Sequence, residues 1–378
     1  MSSHSHKIRV SFSVTNCICH DQRVRKMAAA VRELECDITL IGRRSGECCN
    51  NVIIPFKTKR FRMLFKRGFL FYAFFNIRLF FHLLFHRYDI LVSNDLDTLL
   101  PNWLVSKLKR TPLVYDSHEY FTGVPEIQNR RLVKWVWKSI ERIIFPRLKY
   151  VITVSDSIAE LYEKEYKIRP LTVRNCSVKA DNIFPYSRTE IGVNPDHLLL
   201  ILQGTGINVD RGGEELIDAV NITEGVSLLI VGSGDMIDTL KRKVRSLDLN
   251  NRVRFFPKVP WEELLRYTRS ADAGMSLDKN NNVNYLYSLP NKLFDYIAAG
   301  IPVVASDLPE IKKVIVENKC GVIVRNVNPE NISEAFTKLL DNKAKLEELK
   351  RNAVKASGTI NWKIENEKVK ELYNSIIQ

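Results

Sequence analysis

Two successive series of short apolar strands, each alternating with helical patterns, restrict this chain to a parallel-sheet architecture built twice. The first series reads as the strand Ile8–Val14, the helix Arg23–Leu34 and the strand Asp37–Ile41. A Phe-rich helix, the strand Ile90–Ser93, the helix Leu99–Leu108, the strand Leu113–Tyr115, the helix Leu132–Phe145 and the strand Tyr150–Val154 follow. After the irregular stretch Lys179–Pro195 the pattern restarts with the strands Leu198–Gln203, Ser227–Val231, Val253–Phe256, Ala273–Leu277, Val303–Ala305 and Gly321–Val324, separated by helical segments. Three helices close the chain: Pro329–Asp341, Lys343–Ser357 and Trp362–Ile377. Such alternation joins parallel strands through crossovers that cover both faces of a sheet. The length, 378 residues, allows two cores. The expectation is an α/β protein of two Rossmann-like domains, 1–180 and 181–358, facing a central cleft, with ligands at the carboxyl ends of the strands.

The segment Tyr287–Ser306 carries the most chemistry. It predicts a loop, a helix opened near Pro290 and closed at Gly300, and the buried strand Val303–Ala305. Ser288, Asn291 and Lys292 fall at the helix N-terminus, where free N–H groups and the helix dipole favour an anion. Asp295 sits one turn inside. Cation and N–H donors beside a carboxylate suit a phosphorylated sugar nucleotide.

Glycines follow two strands of the second series. Gly204-Thr205-Gly206 and Gly232-Ser233-Gly234 let backbone approach a ligand closely, and Arg211-Gly212-Gly213 opens a helix. Neither a G-x-G-x-x-G fingerprint nor a P-loop is present, which argues against dinucleotide or ATP binding. In the first series, polar clusters follow three strands: Asn94-Asp95-Leu96-Asp97, Asp116-Ser117-His118-Glu119 and Ser155-Asp156-Ser157. These are the positions where an acceptor would meet a donor. His118, with acidic neighbours Asp116 and Glu119, is suited to contact a transferred sugar or a developing charge.

Tyr287–Ser306 resembles the donor-site segment of glycosyltransferase family 4, retaining enzymes with the GT-B fold. D-S-H-E at Asp116–Glu119 and D-x-R-V at Asp21–Val24 also match patterns of that family. In the family, one glutamate opens the donor segment and a second follows just before the A-A-G-x-P-V-V-A run. Here Tyr287 and Asp295 stand at those positions. The family's G-R and following K-G become Gly204-Thr205 and Arg211-Gly212. The resemblance implies that Arg211 and Lys292 hold the donor diphosphate and that Asp295 holds ribose hydroxyls. It places backbone groups of Lys258 and Val259 at the nucleobase, Asn16 with Asn94 and Asp95 on the acceptor side, and segment 359–378 as a helix crossing back to the first domain. The substrate is then a nucleoside diphosphate sugar, with no cofactor and no metal.

Charge adds a location. The net charge is +14, and residues 1–180 hold 31 Lys/Arg against 16 Asp/Glu, so the whole excess lies in the first half. Between Glu47 and Asp89 there is no acidic residue. Lys59, Arg62 and Lys66 fall at helical spacing and predict a basic stripe, with residues 56–68 at an anionic membrane surface and 69–86 mainly in the core. The start of the chain lacks an apolar secretory segment. The cysteines Cys17, Cys19, Cys36, Cys48, Cys49, Cys176 and Cys320 lack paired spacing, which predicts reduced thiols in a cytoplasm. Cys17, Cys19 and His20 have no second ligand pair for a metal. The expected location is cytoplasmic, peripheral on the inner face of the membrane. No nucleic-acid signature accompanies the charge, so nucleic acid is not an expected partner.

The function this predicts is retaining sugar transfer from a nucleoside diphosphate donor to a lipid-linked or polysaccharide acceptor. Two other readings stay open: a catalytically decayed nucleotide-sugar-binding partner in a membrane assembly, and a nucleotide-sugar epimerase.

Overall fold

The computed structural model describes residues 7–19, 21–44, 54–124, 130–179 and 182–378. The chain divides into two units, Met1–Arg174 with Glu365–Gln378, and Asn175–Ile364. The first division falls at Arg174, ahead of the expected residue 180, and the return begins at Glu365.

The first unit contains a seven-stranded sheet: β1 (Arg9–Ser13), β2 (Asp37–Arg43), β3 (Lys57–Phe61), β4 (Ile90–Asn94), β5 (Leu113–Ser117), β6 (Tyr150–Thr153) and β7 (Leu171–Thr172). Their spatial order is β3-β2-β1-β4-β5-β6-β7, and every pairing is parallel. The order reverses direction between β1 and β4, the switch point at which α/β sheets open a crevice. Helices α1 (Gln22–Arg32), α2 (Gly68–Phe85), α3 (Leu99–Lys109), α4 (Arg131–Ile144) and α5 (Asp156–Tyr166) serve as crossovers. Asp21 caps α1 by accepting from Val24 N, and Ser155 caps α5 by accepting from Ile158 N. The C-terminal helix contributes Tyr373, fully buried and stacked on Phe12 of β1.

The second unit contains a six-stranded parallel sheet ordered β10-β9-β8-β11-β12-β13. Its strands are β8 (Leu198–Gly204), β9 (Val226–Gly232), β10 (Val253–Phe256), β11 (Ala273–Ser276), β12 (Val303–Ser306) and β13 (Gly321–Val324). Helices α6 (Gly213–Ile222), α7 (Ile237–Ser246), α8 (Trp261–Ser270), α9 (Val283–Leu286) and α10 (Asn291–Ala299) fall between the strands. Hydrophobic clusters form on both faces, one around Leu200, Leu228 and Phe336, the other around Leu199, Leu229 and Phe294. Alternate residues of β8 and β9 therefore feed opposite cores, as the two-residue strand period requires. The expected α/β architecture of two parallel-sheet domains is present.

The basic segment departs from expectation. Lys57–Phe61 is a strand paired in parallel with Thr39–Arg43 of β2, so Lys59 and Arg62 do not share a helical stripe. The outer edge of β2 offers unpaired backbone groups, and Phe61 anchors the pairing. It is buried against Phe75 and His82, with ring centroids at 5.5 and 5.9 Å. Helix α2 also differs. Only Phe71, Phe75, Leu79 and Leu83 are buried, and its opposite side faces out. An apolar sequence all round a helix gives no periodic signal for which face packs. Among the described residues α2 is the helix long and apolar enough to cross a membrane. Here it is the crossover between β3 and β4.

Cysteine chemistry is mixed. Cys36, Cys176 and Cys320 are free and buried, but Cys17 and Cys19 each take part in a disulfide, which corrects the expectation of reduced thiols throughout. Both lie in the loop after β1, and their spacing in the sequence carries no signal of pairing. Cys48, Cys49 and His20 lie outside the described residues.

Candidate active site

In the first unit the strand-end residues converge on His118. Asp95 follows β4 with φ +61°, a left-handed conformation that costs a non-glycine residue energy. This turn places Asp95 Oδ1 to accept the His118 backbone N–H at 2.8 Å and Oδ2 at 3.2 Å from His118 Nδ1. His118 Nε2 lies 3.4 Å from Asp116 Oδ2, an ion-pair contact rather than a well-formed hydrogen bond. Asp116 is fully buried and gripped by Arg23, whose Nη2 donates to Oδ1 at 2.6 Å and whose Nη1 donates to the Val173 carbonyl at 2.9 Å. Thr15 Oγ1 donates to Asp97 Oδ2.

Electrostatics fix the protonation states. Burial alone would lower the pKa of His118, but the Asp95 and Asp116 carboxylates outweigh it and push it up to about 10. Burial would raise Asp116, yet the Arg23 and His118 charges hold it well below the usual carboxylate range. Asp97, buried beside Asp95, is pushed up to about 7. At neutral pH His118 is therefore an imidazolium: a donor and a positive charge, not a base.

The other first-unit candidates are less central. Asn94 is fully buried and donates to the Ser13 carbonyl at 3.0 Å, tying β4 to β1. Its Oδ1 is buried without a hydrogen-bond partner among the described residues. Glu119 is exposed, and its carbonyl accepts from Ser117 Oγ at 2.8 Å. Asn16 is exposed in the loop after β1, and its carbonyl accepts from Arg43 N at 3.2 Å.

In the second unit, Arg211 and Lys292 come from segments far apart in sequence and meet at one carboxylate. Arg211 Nη1 lies 3.0 Å and Lys292 Nζ 3.4 Å from Oδ1 of Asp278, which is fully buried just past β11. The Arg211 guanidinium also lies over the Tyr285 ring, 4.0 Å from its centroid. Gly212 makes this possible. Its φ is +71°, and a Cβ there would stand 2.4 Å from the Leu277 carbonyl oxygen. Lys292 occupies the first turn of α10, whose N-cap, Pro290, offers no side-chain cap, leaving N–H groups for a ligand. Burial lowers the pKa of Lys292, and Arg211 adds to this while Asp278 opposes it. Two cations share one carboxylate, so the cluster carries a surplus positive charge, the condition for taking up a diphosphate.

The loops after β8 and β9 approach closely. Gly204 and Gly232 are register partners, Ser233 N donates to the Gly204 carbonyl at 2.9 Å, and a Cβ on Gly232 would collide with that carbonyl. Thr205 is exposed beyond them. Asp295 accepts from Ser177 Oγ and, at 3.2 Å, from Gln203 Nε2. Asn291 Oδ1 accepts from Asn175 at 2.8 Å, and Ser288 Oγ turns back to the Tyr285 carbonyl at 3.1 Å. Lys258 is exposed, and Val259 is half-buried against the core.

Sequence reasoning assigned no role to Asp278, Tyr285, Arg23 or Thr15. Asp278 did carry a signal, since it follows the apolar run Ala273–Leu277 as Asp95 follows Ile90–Ser93. Arg23 lies in the D-x-R-V match itself.

Comparison with known proteins bears on the family and the fold. The family model described as Glycosyltransferase Family 4 matches residues 21–181, and the model described as Glycosyl transferases group 1 matches residues 200–356. An uncharacterised glycosyltransferase of Methanocaldococcus jannaschii is 22% identical over 80% of this chain and 80% of its own length. A chitobiosyldiphosphodolichol beta-mannosyltransferase of Yarrowia lipolytica is 28% identical over 42% of this chain and 35% of its own length. The Anabaena protein HepE, solved in complex with UDP-glucose, superposes with a TM-score of 0.76 at 16% identity, covering 97% of this chain and 100% of that one. With both family models matched in succession along two parallel-sheet units, the chain is a family 4-type glycosyltransferase with the GT-B fold.

Proposed function

We propose that the protein transfers a sugar from a nucleoside diphosphate donor, with retention at the anomeric carbon and without a metal, to a lipid-linked or saccharide acceptor in cell-surface glycan synthesis. The observation that carries this reading is the convergence of Arg211 and Lys292 on Asp278 beside the first turn of α10. Departure of a diphosphate leaves an anion, and fixed cations and N–H donors stabilise it without reorganising. Asp295 holds the ribose, backbone at Lys258 and Val259 passes the base, and the His118 imidazolium donates to the transferred sugar or to charge developing on it. The UDP-glucose bound by HepE makes a UDP-sugar the first donor to test, and the dolichol-linked substrate in the Yarrowia relative's name favours a lipid-linked acceptor. The basic first half of the chain supports placing this work at a membrane surface.

The test is a thermal-shift panel of UDP-, GDP-, ADP- and TDP-sugars followed by turnover of the stabilising donor with and without EDTA. A ligand that binds only the folded state raises the midpoint with its concentration. Turnover unaffected by EDTA, with retained anomeric configuration, is expected. No shift from any donor would overturn the proposal. Binding without turnover would favour a decayed, nucleotide-sugar-binding partner, a reading that Tyr287 and Thr205 motivate because the family carries charged residues at both positions.

A further inference from the structure

Asp278 carries the sign of charge that a diphosphate repels, yet the second unit holds it firmly against Arg211. Asp210 and Gly212, on either side of Arg211, both adopt left-handed conformations, with φ +64° and +71°. Lys279 N donates to the Asp210 carbonyl at 2.9 Å, and Lys279 Nζ pairs with Glu215 in the first turn of α6 at 2.6 Å. The loop after β11 is thereby laced to the start of α6, which sets Asp278 beside Arg211. Asn282 accepts from Tyr285 N at 2.9 Å, and the Tyr285 ring lies against the guanidinium.

The bonding of Asp278 itself is uneven. Arg211 and Lys292 both converge on Oδ1, while Oδ2 is buried without a hydrogen-bond partner among the described residues. An unpaired buried carboxylate oxygen costs free energy, so Asp278 is an inefficient structural tie, and its charge is the property the site retains. One oxygen cannot occupy all the N–H donors of an ammonium and a guanidinium, so donors remain for phosphate oxygens. Exposure rises from 0% at Asp278 through 12% at Lys292 to 25% at Arg211. The carboxylate therefore lies behind the two cations as an anion approaches from solvent.

We propose that Asp278 is a positioning residue and a counter-charge for the diphosphate site: it aims Arg211 and Lys292 before the donor arrives, and its repulsion hastens release of the nucleoside diphosphate product. This deepens the proposed function and rests on its assignment of Arg211 and Lys292 to the diphosphate. When the anomeric C–O bond breaks, its electron pair stays with the diphosphate. The acceptor hydroxyl oxygen forms the new bond and gives its proton to solvent. The product is then more negative than the donor, and two uncompensated cations would retain it. Tight binding of that kind slows turnover wherever release limits the rate.

The test is Asp278→Asn, which keeps the shape and an acceptor oxygen and removes the charge. Binding of UDP and of inorganic pyrophosphate, the group common to all such donors, is measured by calorimetry. Both should tighten about tenfold, the scale of one like charge removed at close range. The gain should shrink at high salt. Stopped-flow displacement of a fluorescent UDP analogue should show the change in the dissociation rate rather than the association rate. Asp278→Ala, which also removes the acceptor, should bind less tightly than Asp278→Asn. A variant that folds only with UDP present would support the proposal, because the ligand then replaces the missing anion. A variant unfolded even with UDP would overturn it, as Asp278 would be purely structural. So would unchanged or weaker binding of both ligands by folded Asp278→Asn while Arg211→Ala and Lys292→Ala weaken binding, a result that leaves the diphosphate assignment standing. Unchanged affinity in those two cation variants would instead overturn that assignment, and the proposal with it.

Discussion

The two candidate sites are opposite in charge design. In the first unit two carboxylates, Asp95 and Asp116, enclose one cation, His118, and a second cation, Arg23, completes the balance from behind. In the second unit two cations, Arg211 and Lys292, share one carboxylate, Asp278. In the first cluster these two carboxylates and two cations balance, with Asp97 beside them. The second holds surplus positive charge and is completed by an anion. A residue in the first cluster should therefore weigh mainly on stability and on the state of His118, and a residue in the second mainly on nucleotide affinity.

The largest expected effect tests that division directly. Arg23→Ala leaves Asp116 buried without its strongest partner, and breaking a buried pair in this way costs about 3–5 kcal/mol. Urea unfolding should show this loss in the first unit, while UDP affinity, measured by calorimetry in the absence of urea, stays within about twofold of wild type. A large loss of UDP affinity in a folded Arg23→Ala protein would break the comparison.

Arg211→Ala and Lys292→Ala should each weaken UDP binding by about 1.5–3 kcal/mol, the scale of a hydrogen bond to a charged group, with the fold retained. Unchanged affinity in both variants would remove the diphosphate assignment. Asp295→Ala should cost less, about 1 kcal/mol, and weaken UDP and UDP-sugar alike because the ribose is common to both. Asp295→Glu should be tolerated. If Asp295→Ala binds nucleotide normally but loses stability, its role is structural, through bonds such as those to Ser177 and Gln203.

A separate effect concerns pH. The folded pKa of His118, about 10, lies above its ordinary 6.5. Its contribution to stability is therefore fully present below pH 6.5 and is lost as pH rises through about 10. The folded pKa of Asp116 is depressed below its ordinary 3.8, so its contribution is present above that value and lost on acidification. The urea midpoint of wild type should fall between pH 6.5 and 10 more than that of His118→Gln. Equal slopes would mean that His118 is not held as an imidazolium.

Much of this fold was legible because its signals are local. Apolar runs such as Leu198–Gln203 mark strands, and Pro290 and Gly300 bracket a helix that runs from Asn291 to Ala299. The candidate cations were legible too, since Lys292 lies at a helix start and Arg211 before a glycine pair. Their shared partner was not, because Asp278 follows Arg211 by 67 residues and only the parallel order β8-β11 brings the two loops together. Arg23 and Asp116 are 93 residues apart, and their pairing depends in the same way on sheet order. Asn94 shows another long-range dependence: only the pairing of β4 with β1 brings its Nδ2 to the Ser13 carbonyl.

By itself the sequence determined the two α/β series, the strand-end placement of the polar residues and the confinement of excess charge to the first half, because each depends on neighbours within a few residues. Tertiary structure decided which of those polar residues meet, that Lys57–Phe61 joins a sheet rather than a helix, and which side of Gly68–Phe85 remains uncovered. The reason is physical. Burial and pairing are properties of three-dimensional neighbourhoods, and a helix apolar all round or a lone buried carboxylate acquires its role only from what the sheet sets beside it.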